Sequence, residues 1–383
     1  RSNGLGVNIV PFVGHGTLRI AVNGFKDGAC SEQELKEMQR LLAECMEQGA
    51  FGMSTGLFYP PGSYSSRDEL EVLFPVLKNY GGIYSSHLRS EGKFLVESVT
   101  EAIELGERFD VSIELSHHKA APGKYWGKIK NTLQLIREYS KKGVNVSCDV
   151  YPYNASSTTI MILLPNWALE GGVSETLSNL TQPGFRKEII EYITSSPEEE
   201  EIFIRDVGWE NVIIASCPAQ SESEGKSLLH IVGRNISMEQ QLERFMDWLI
   251  AIGADAMMVS SSMSQEDVDT VVRYPDSIIA SDSWISTPSL SGKPHPRAYG
   301  TFPRFINEYV KKKAFFSIEE AIPKITSMPA AKMCISERGT LKAGNKADIV
   351  IMDLPRVRDT ASFMSPKQFP EGIDWVIING QIA

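Results

Sequence analysis

Histidine is scarce in this sequence, at six residues in 383, and cysteine is scarcer still, at five. Cys30, Cys45, Cys148, Cys217 and Cys334 stand singly, form no CxxC pair and are odd in number. Neither a disulfide framework nor a zinc ribbon is indicated by that spacing. Long apolar runs are also missing: no stretch approaches the roughly 18–20 apolar residues that a bilayer-spanning helix needs. The opening residues, Arg1 to Gly6, do not combine a charged segment with an apolar one, so no secretory signal is read there. The expectation is a cytoplasmic protein without a membrane partner. An excess of basic residues is absent as well, with 38 Lys and Arg against 48 Asp and Glu. Phosphate backbones are bound through clustered cations, so nucleic acid is not an expected ligand.

What is present is the composition of a globular chain, 42% hydrophobic and 22% charged, able to bury a large core. To about residue 160, apolar β-type runs alternate with amphipathic helical stretches, which predicts an α/β fold with a parallel sheet or barrel. The strands are expected at Asn8–Val13, Phe51–Thr55, Ile83–His87, Ser112–His117 and Val146–Tyr151. Near-continuous apolar runs of this kind suit strands covered on both faces. Helices are expected at Glu32–Met46, Phe94–Phe109 and Asn131–Lys141, the first opened by a Ser31/Glu34 capping box.

The alternation lapses between Thr158 and Met246, a region broken by Pro165, Gly171, Gly172 and Pro183 and carrying the acidic run Glu198–Glu201. It is read as an insertion over the barrel mouth. Strands at Ala254–Ser261 and Ser277–Ser283 and helices at Gln265–Arg273, Phe305–Lys313 and Ile318–Met328 are expected to resume the barrel. Past Arg338–Gly339 the chain turns to short strands, Ala347–Met352 and Trp375–Ile378, as in a small β-domain. The expected division is a hydrolase barrel at 1–337 with a lid-like insertion at about 158–246, and part of the β-domain at 338–383.

Polar residues gather where strands end, the functional face of a barrel. His87 and His117 close two successive strands, where their imidazoles could converge on a metal, and Asp282 closes a later apolar strand. A buried carboxylate there needs a cation or a donor beside it, although an Asp after a strand also serves as a helix cap. His118 must point away from His117 and is read as supporting it rather than binding metal. His15, between glycines, is read as structural, and His230 is given no role. Arg297 offers a planar fork for a substrate carboxylate, or else a surface salt bridge.

Several ordered segments resemble the N-acyl-D-amino-acid deacylase (D-aminoacylase) family of metal-dependent amidohydrolases. They include Val-Gly-His-Gly-Thr-Leu-Arg at 13–19, Gly-Met-Ser-Thr-Gly-Leu-Phe-Tyr-Pro-Pro-Gly at 52–62, Ser-His-Leu-Arg-Ser-Glu-Gly at 86–92 and Leu-Ser-His-His-Lys-Ala at 115–120. Asp-Val-Tyr-Pro-Tyr-Asn-Ala-Ser-Ser-Thr at 149–158, Ser-Asp-Ser at 281–283 and His-Pro-Arg-Ala-Tyr-Gly-Thr-Phe-Pro-Arg at 295–304 continue the series. The resemblance implies a (β/α)8 TIM-type barrel with a small β-sandwich, zinc on His87 and His117, and Asp282 as metal-associated general base. It also implies that Arg297, Tyr151 and Ser157 hold the carboxylate of a small N-acyl amino acid substrate. The family's His-x-His strand and metal-binding Cys have no counterpart here, so the N-terminal part of the barrel and β-domain is expected to be missing. Ser283 and Trp284 also stand where relatives carry Gly and a different loop. Two alternatives are a cyclic amide hydrolase, for which no strand-end lysine is in place, and a non-catalytic barrel remnant.

Overall fold

In the computed structural model, residues 6–198, 200–285, 287–289 and 291–383 are described. Most of the opening segment, and Glu199 of the acidic run, therefore lie outside the described residues. The central layer is a parallel six-stranded sheet of β1 (Val13–Gly14), β2 (Gly52–Gly56), β3 (Ile83–His87), β4 (Ser112–Leu115), β5 (Val146–Val150) and, after a long excursion, β9 (Ser277–Ile279). Its order is β1-β2-β3-β4-β5-β9, in register through Gly56 beside His87, Ser86 beside Leu115 and Val150 beside Ile279. This is the expected α/β class with a parallel sheet. Among the described residues β1 and β9 do not pair, so the sheet does not close into eight strands.

The helices follow from capping and spacing. Ser31 caps α2 (Glu32–Glu47) in a capping box with Glu34, and Met38, Leu42 and Met46 recur every four residues on its buried face. Ser66 caps α3 (Arg67–Tyr80), which ends at Gly81 in the left-handed conformation, φ 62°. With α1 (His15–Asn23), α4 (Leu95–Phe109) and α5 (Ile129–Lys141), these helices pack the sheet into one apolar cluster. Gly52 has a specific reason to be glycine: a Cβ there would lie 2.0 Å from the carbonyl oxygen of Ile83 on β3.

The region after Thr158, read as an insertion, has helices and strands of its own. It is a folded layer with its own apolar cluster running from Ile160 to Met258, around Phe245, Trp209 and Leu249. β6 (Ser156–Thr159), β7 (Val212–Ser216) and β8 (Met257–Ser260) form an antiparallel sheet in the order β6-β8-β7. The run Ala254–Ser261 thus contributes to this second sheet and not to the parallel one. A four-residue apolar run specifies a strand but not its partner, which is decided by non-local pairing. At the C-terminal end, β10 (Ile349–Met352), β11 (Ile373–Ile378) and β12 (Gln381–Ile382) make one antiparallel sheet in the segment read as part of a small β-domain. Among the described residues no helix is long and apolar enough to cross a membrane.

Candidate metal centre

Parallel strands present their C-terminal ends on one rim, and the loops leaving that rim carry the polar side chains. β3 ends on His87, and His117 follows β4 after a two-residue step. His117 takes a positive φ of 40°, unusual for a residue with a Cβ. Asp149, on the neighbouring β5, fixes that turn by accepting the His117 backbone N–H at 2.7 Å. The result brings His87 Nδ1 to 2.9 Å from His117 Nε2.

Glu91 completes the cluster. Its Oε1 lies 3.2 Å from His117 Nδ1 and 3.8 Å from His87 Nε2. Ligand atoms of His87, Glu91 and His117 all lie within 4.8 Å of one another, and among the described residues no other group of this kind occurs. The Lys119 ammonium donates to Glu91 Oε1 at 2.5 Å and faces His117 Nδ1 at 2.7 Å. Burial pushes the Glu91 carboxyl up, but Lys119, with His87 and His117, outweighs it and holds the group well below the usual carboxylate range. Burial pushes His87 well below its ordinary value, so its ring is neutral.

These residues fit a divalent cation. Two imidazoles and an ionised carboxylate are the donor set of a three-ligand site with room for a further partner. Among the described residues the buried His87 Nε2 has no hydrogen-bond partner, and it lies 3.8 Å from Glu91. The cluster also draws positive charge, as the position of Lys119 shows.

Across the same cavity, of about 1080 Å³, lie Tyr151, Ser157, Asp282 and Arg297. Asp282 departs from its expected setting. β9 ends at Ile279, and Asp282 sits three residues on with φ 47° and a side chain 39% exposed, not buried at a strand end. The backbone turns out of the sheet after Ala280, whose N–H still bonds to Val150 of β5, so the carboxylate hangs over the mouth. Its Oδ2 lies 2.8 Å from Arg297 Nη1, and it stands outside the His87–Glu91–His117 group.

Arg297 is buried, not a surface residue, and is held on three sides. Its guanidinium stacks 4.5 Å over the ring of Tyr151, its Nη2 donates to the Ser157 carbonyl at 3.4 Å, and its backbone N–H donates to His295 Nδ1 at 3.0 Å. His295 in turn donates from Nε2 to the Ala155 carbonyl at 2.9 Å. The Ser157 hydroxyl donates to the Met258 carbonyl at 2.8 Å, tying β6 to β8.

The remaining histidines have separate duties. His15 is fully buried 2.7 Å from Glu69, which also pairs with Arg19 at 2.5 Å. His118 turns to the helix side, 2.8 Å from Thr132 of α5, and burial pushes it down to about 3. His230 is exposed.

Comparison with known proteins now bears on the whole chain. Residues 227–383 match the amidohydrolase family model. The chain is 32% identical to the D-aminoacylase of Alcaligenes xylosoxydans xylosoxydans over 380 residues, 99% of this chain and 68% of that protein. The chain belongs to the N-acyl-D-amino-acid deacylase family of the amidohydrolases. Within it, the N-acyl-D-aspartate deacylase of the same organism is also 32% identical, over 98% of this chain and 65% of its own length. The chain therefore spans about two thirds of these relatives. A crystal structure of N-acyl-D-glutamate deacylase from Bordetella bronchiseptica, complexed with zinc and a phosphonate mimic of the tetrahedral intermediate, superposes with a TM-score of 0.79. That similarity comes at 27% identity, over 98% of this chain and 68% of that one.

Proposed function

We propose that this cavity hydrolyses the amide bond of N-acyl-D-amino acids, releasing a carboxylate and a free D-amino acid, with zinc as its metal. The observation that carries the reading is the meeting, in one cavity, of the His87–Glu91–His117 cluster with the Asp282–Arg297 pair. The names of the relatives support linear N-acyl amino acids as substrates. When bound, the ion supplies Lewis acidity toward the amide carbonyl and the attacking water.

The chain's own residues account for the rest. His87 is neutral and Glu91 ionised, as ligands must be. Asp282, half out in the mouth, takes a proton from the attacking water and hands it to the departing amine. Arg297, braced by Tyr151 and His295, orients the substrate carboxylate and so fixes the scissile bond over the cluster. In this reading the parallel sheet is the larger part of a (β/α)8 barrel at 1–337, 158–246 is its lid and 338–383 belongs to a small β-sandwich. The five cysteines are all free, which supports a reducing, cytoplasmic setting.

Asp282→Asn is expected to lower kcat by about 10²–10⁴-fold while zinc content is retained. Glu91→Gln is expected to lose zinc. Full activity in Asp282→Asn would remove that residue from the mechanism.

A further inference from the structure

A second cavity, of about 800 Å³, lies between α4 and the folded layer. Phe58, Ile162, Glu201 and Phe203 line both cavities, so the second adjoins the mouth directly. Phe58 marks the passage: its ring stands 5.8 Å from that of His87. On the far side Ser90 donates to Glu201 Oε2 at 2.9 Å, and the Lys93 N–H donates to the same oxygen at 3.0 Å, which fixes the Glu201 side chain.

The second cavity is apolar along the wall formed by Leu163, Leu164, Trp167 and Ile202. Its two guanidiniums are already matched: Arg89 pairs with Glu101 at 3.0 Å, and Arg67 with Glu104 at 2.6 Å. Neither is available to draw an anionic ligand. Glu97, Asn166 and Glu200 also line this space, so it suits a hydrocarbon chain along the apolar wall and not throughout.

The orientation of a substrate follows from the proposed function, on which this inference rests. With its carboxylate at Arg297 and its scissile carbonyl at the cluster, the acyl group leaves on the side away from Arg297. Phe58, against the His87 ring, lines both cavities and gives the acyl group a way into the second. We infer that the substrates carry a medium-length or long apolar acyl chain, seated in the cavity walled by Val96, Leu164 and Trp167. An acetyl group would end at Phe58 and leave that cavity unused.

The test is a series of N-acyl-D-leucines with acetyl, butanoyl, hexanoyl, octanoyl and decanoyl groups, assayed with the zinc-loaded chain. Each methylene that enters the cavity is expected to raise kcat/KM by roughly two- to fourfold until the space is filled. Val96→Trp, whose folding is checked by its melting temperature, should lower the octanoyl-to-acetyl ratio by about tenfold, because the indole occupies the chain's path. In parallel, N-octanoyl-D-leucine should change the tryptophan fluorescence of the unmodified chain, and the change should vanish in Trp167→Phe. A flat profile, or one best at acetyl, overturns the acyl-chain assignment and leaves the deacylase reading standing. Fluorescence titration without turnover of any member overturns the deacylase reading and supports the cavity as a hydrocarbon site. Absence of both overturns both.

Discussion

His15, Arg19 and Glu69 show how one residue can carry a stability cost without touching the reaction. Arg19 has no exposed surface, and Glu69 is its only carboxylate partner among the described ion pairs. Arg19 also donates to the Gly28 carbonyl at 2.9 Å, so it cannot swing out to water without breaking the α1 to α2 connection. Burial raises the Glu69 carboxyl, but His15 and Arg19 outweigh it and the net shift is downward. Glu69→Gln leaves a buried guanidinium uncompensated and is expected to cost about 3–5 kcal/mol, read from urea unfolding. A loss under about 1 kcal/mol would show that Arg19 is solvated in solution. At the same scale, the histidines were readable from sequence because strand ends mark them. Glu91 was not, although it stands inside the quoted Ser-His-Leu-Arg-Ser-Glu-Gly segment. It lies in an irregular stretch, where no periodicity tells which way a side chain points, and only the fold brings it 3.2 Å from His117. Lys119 was missed for the same reason.

Among elements, strongly periodic segments were legible and their partners were not. The Ile83–His87 strand and the Gln265–Arg273 helix match their expected bounds, and α2 and α4 match to within a residue. Expected strands at Asn8–Val13 and Ser277–Ser283 shrink to two and three residues, because the rest of each run, with Ile9 53% and Asp282 39% exposed, leaves the covered ladder. The expected helix Ile318–Met328 breaks at Thr326, giving helices Ile318–Ile325 and Ser327–Lys332. The first fastens β9 through Lys324, whose ammonium reaches the Tyr274 carbonyl at 2.6 Å and the Ser277 carbonyl at 3.0 Å. Burial pushes Lys324 down to about 8 from an ordinary 10.5. Between those values the unfolded chain binds more protons than the folded one, so this lysine makes stability rise with pH from about 8 upward. Lys324→Met should remove that contribution, flattening the slope of unfolding free energy between pH 8 and 10 by up to about 1.4 kcal/mol per pH unit. Parallel slopes for the two proteins would place the lysine in water.

For the whole molecule, the arrangement joins two layers with separate apolar cores around one cavity. The parallel sheet supplies His87 and His117, and its loops supply Glu91 and Asp282, while the second layer supplies Ser157 to steady Arg297. The expected α/β class followed from alternation of strand and helix periods. The second layer's fold did not, because its short antiparallel strands pair across long stretches of chain, Ser156–Thr159 with Met257–Ser260, and no local period names such a partner. Both halves are needed for the reaction proposed, since cluster and carboxylate-binding fork stand on different elements. The most direct measurement is acetate release from N-acetyl-D-methionine and its L-isomer by the chelator-stripped chain, before and after one equivalent of zinc. The account predicts no release without the ion, release from the D-isomer alone on its return, and zinc retained through gel filtration unless His87 or His117 is replaced by alanine. Zinc that is not retained, or hydrolysis indifferent to the chelator, would contradict it.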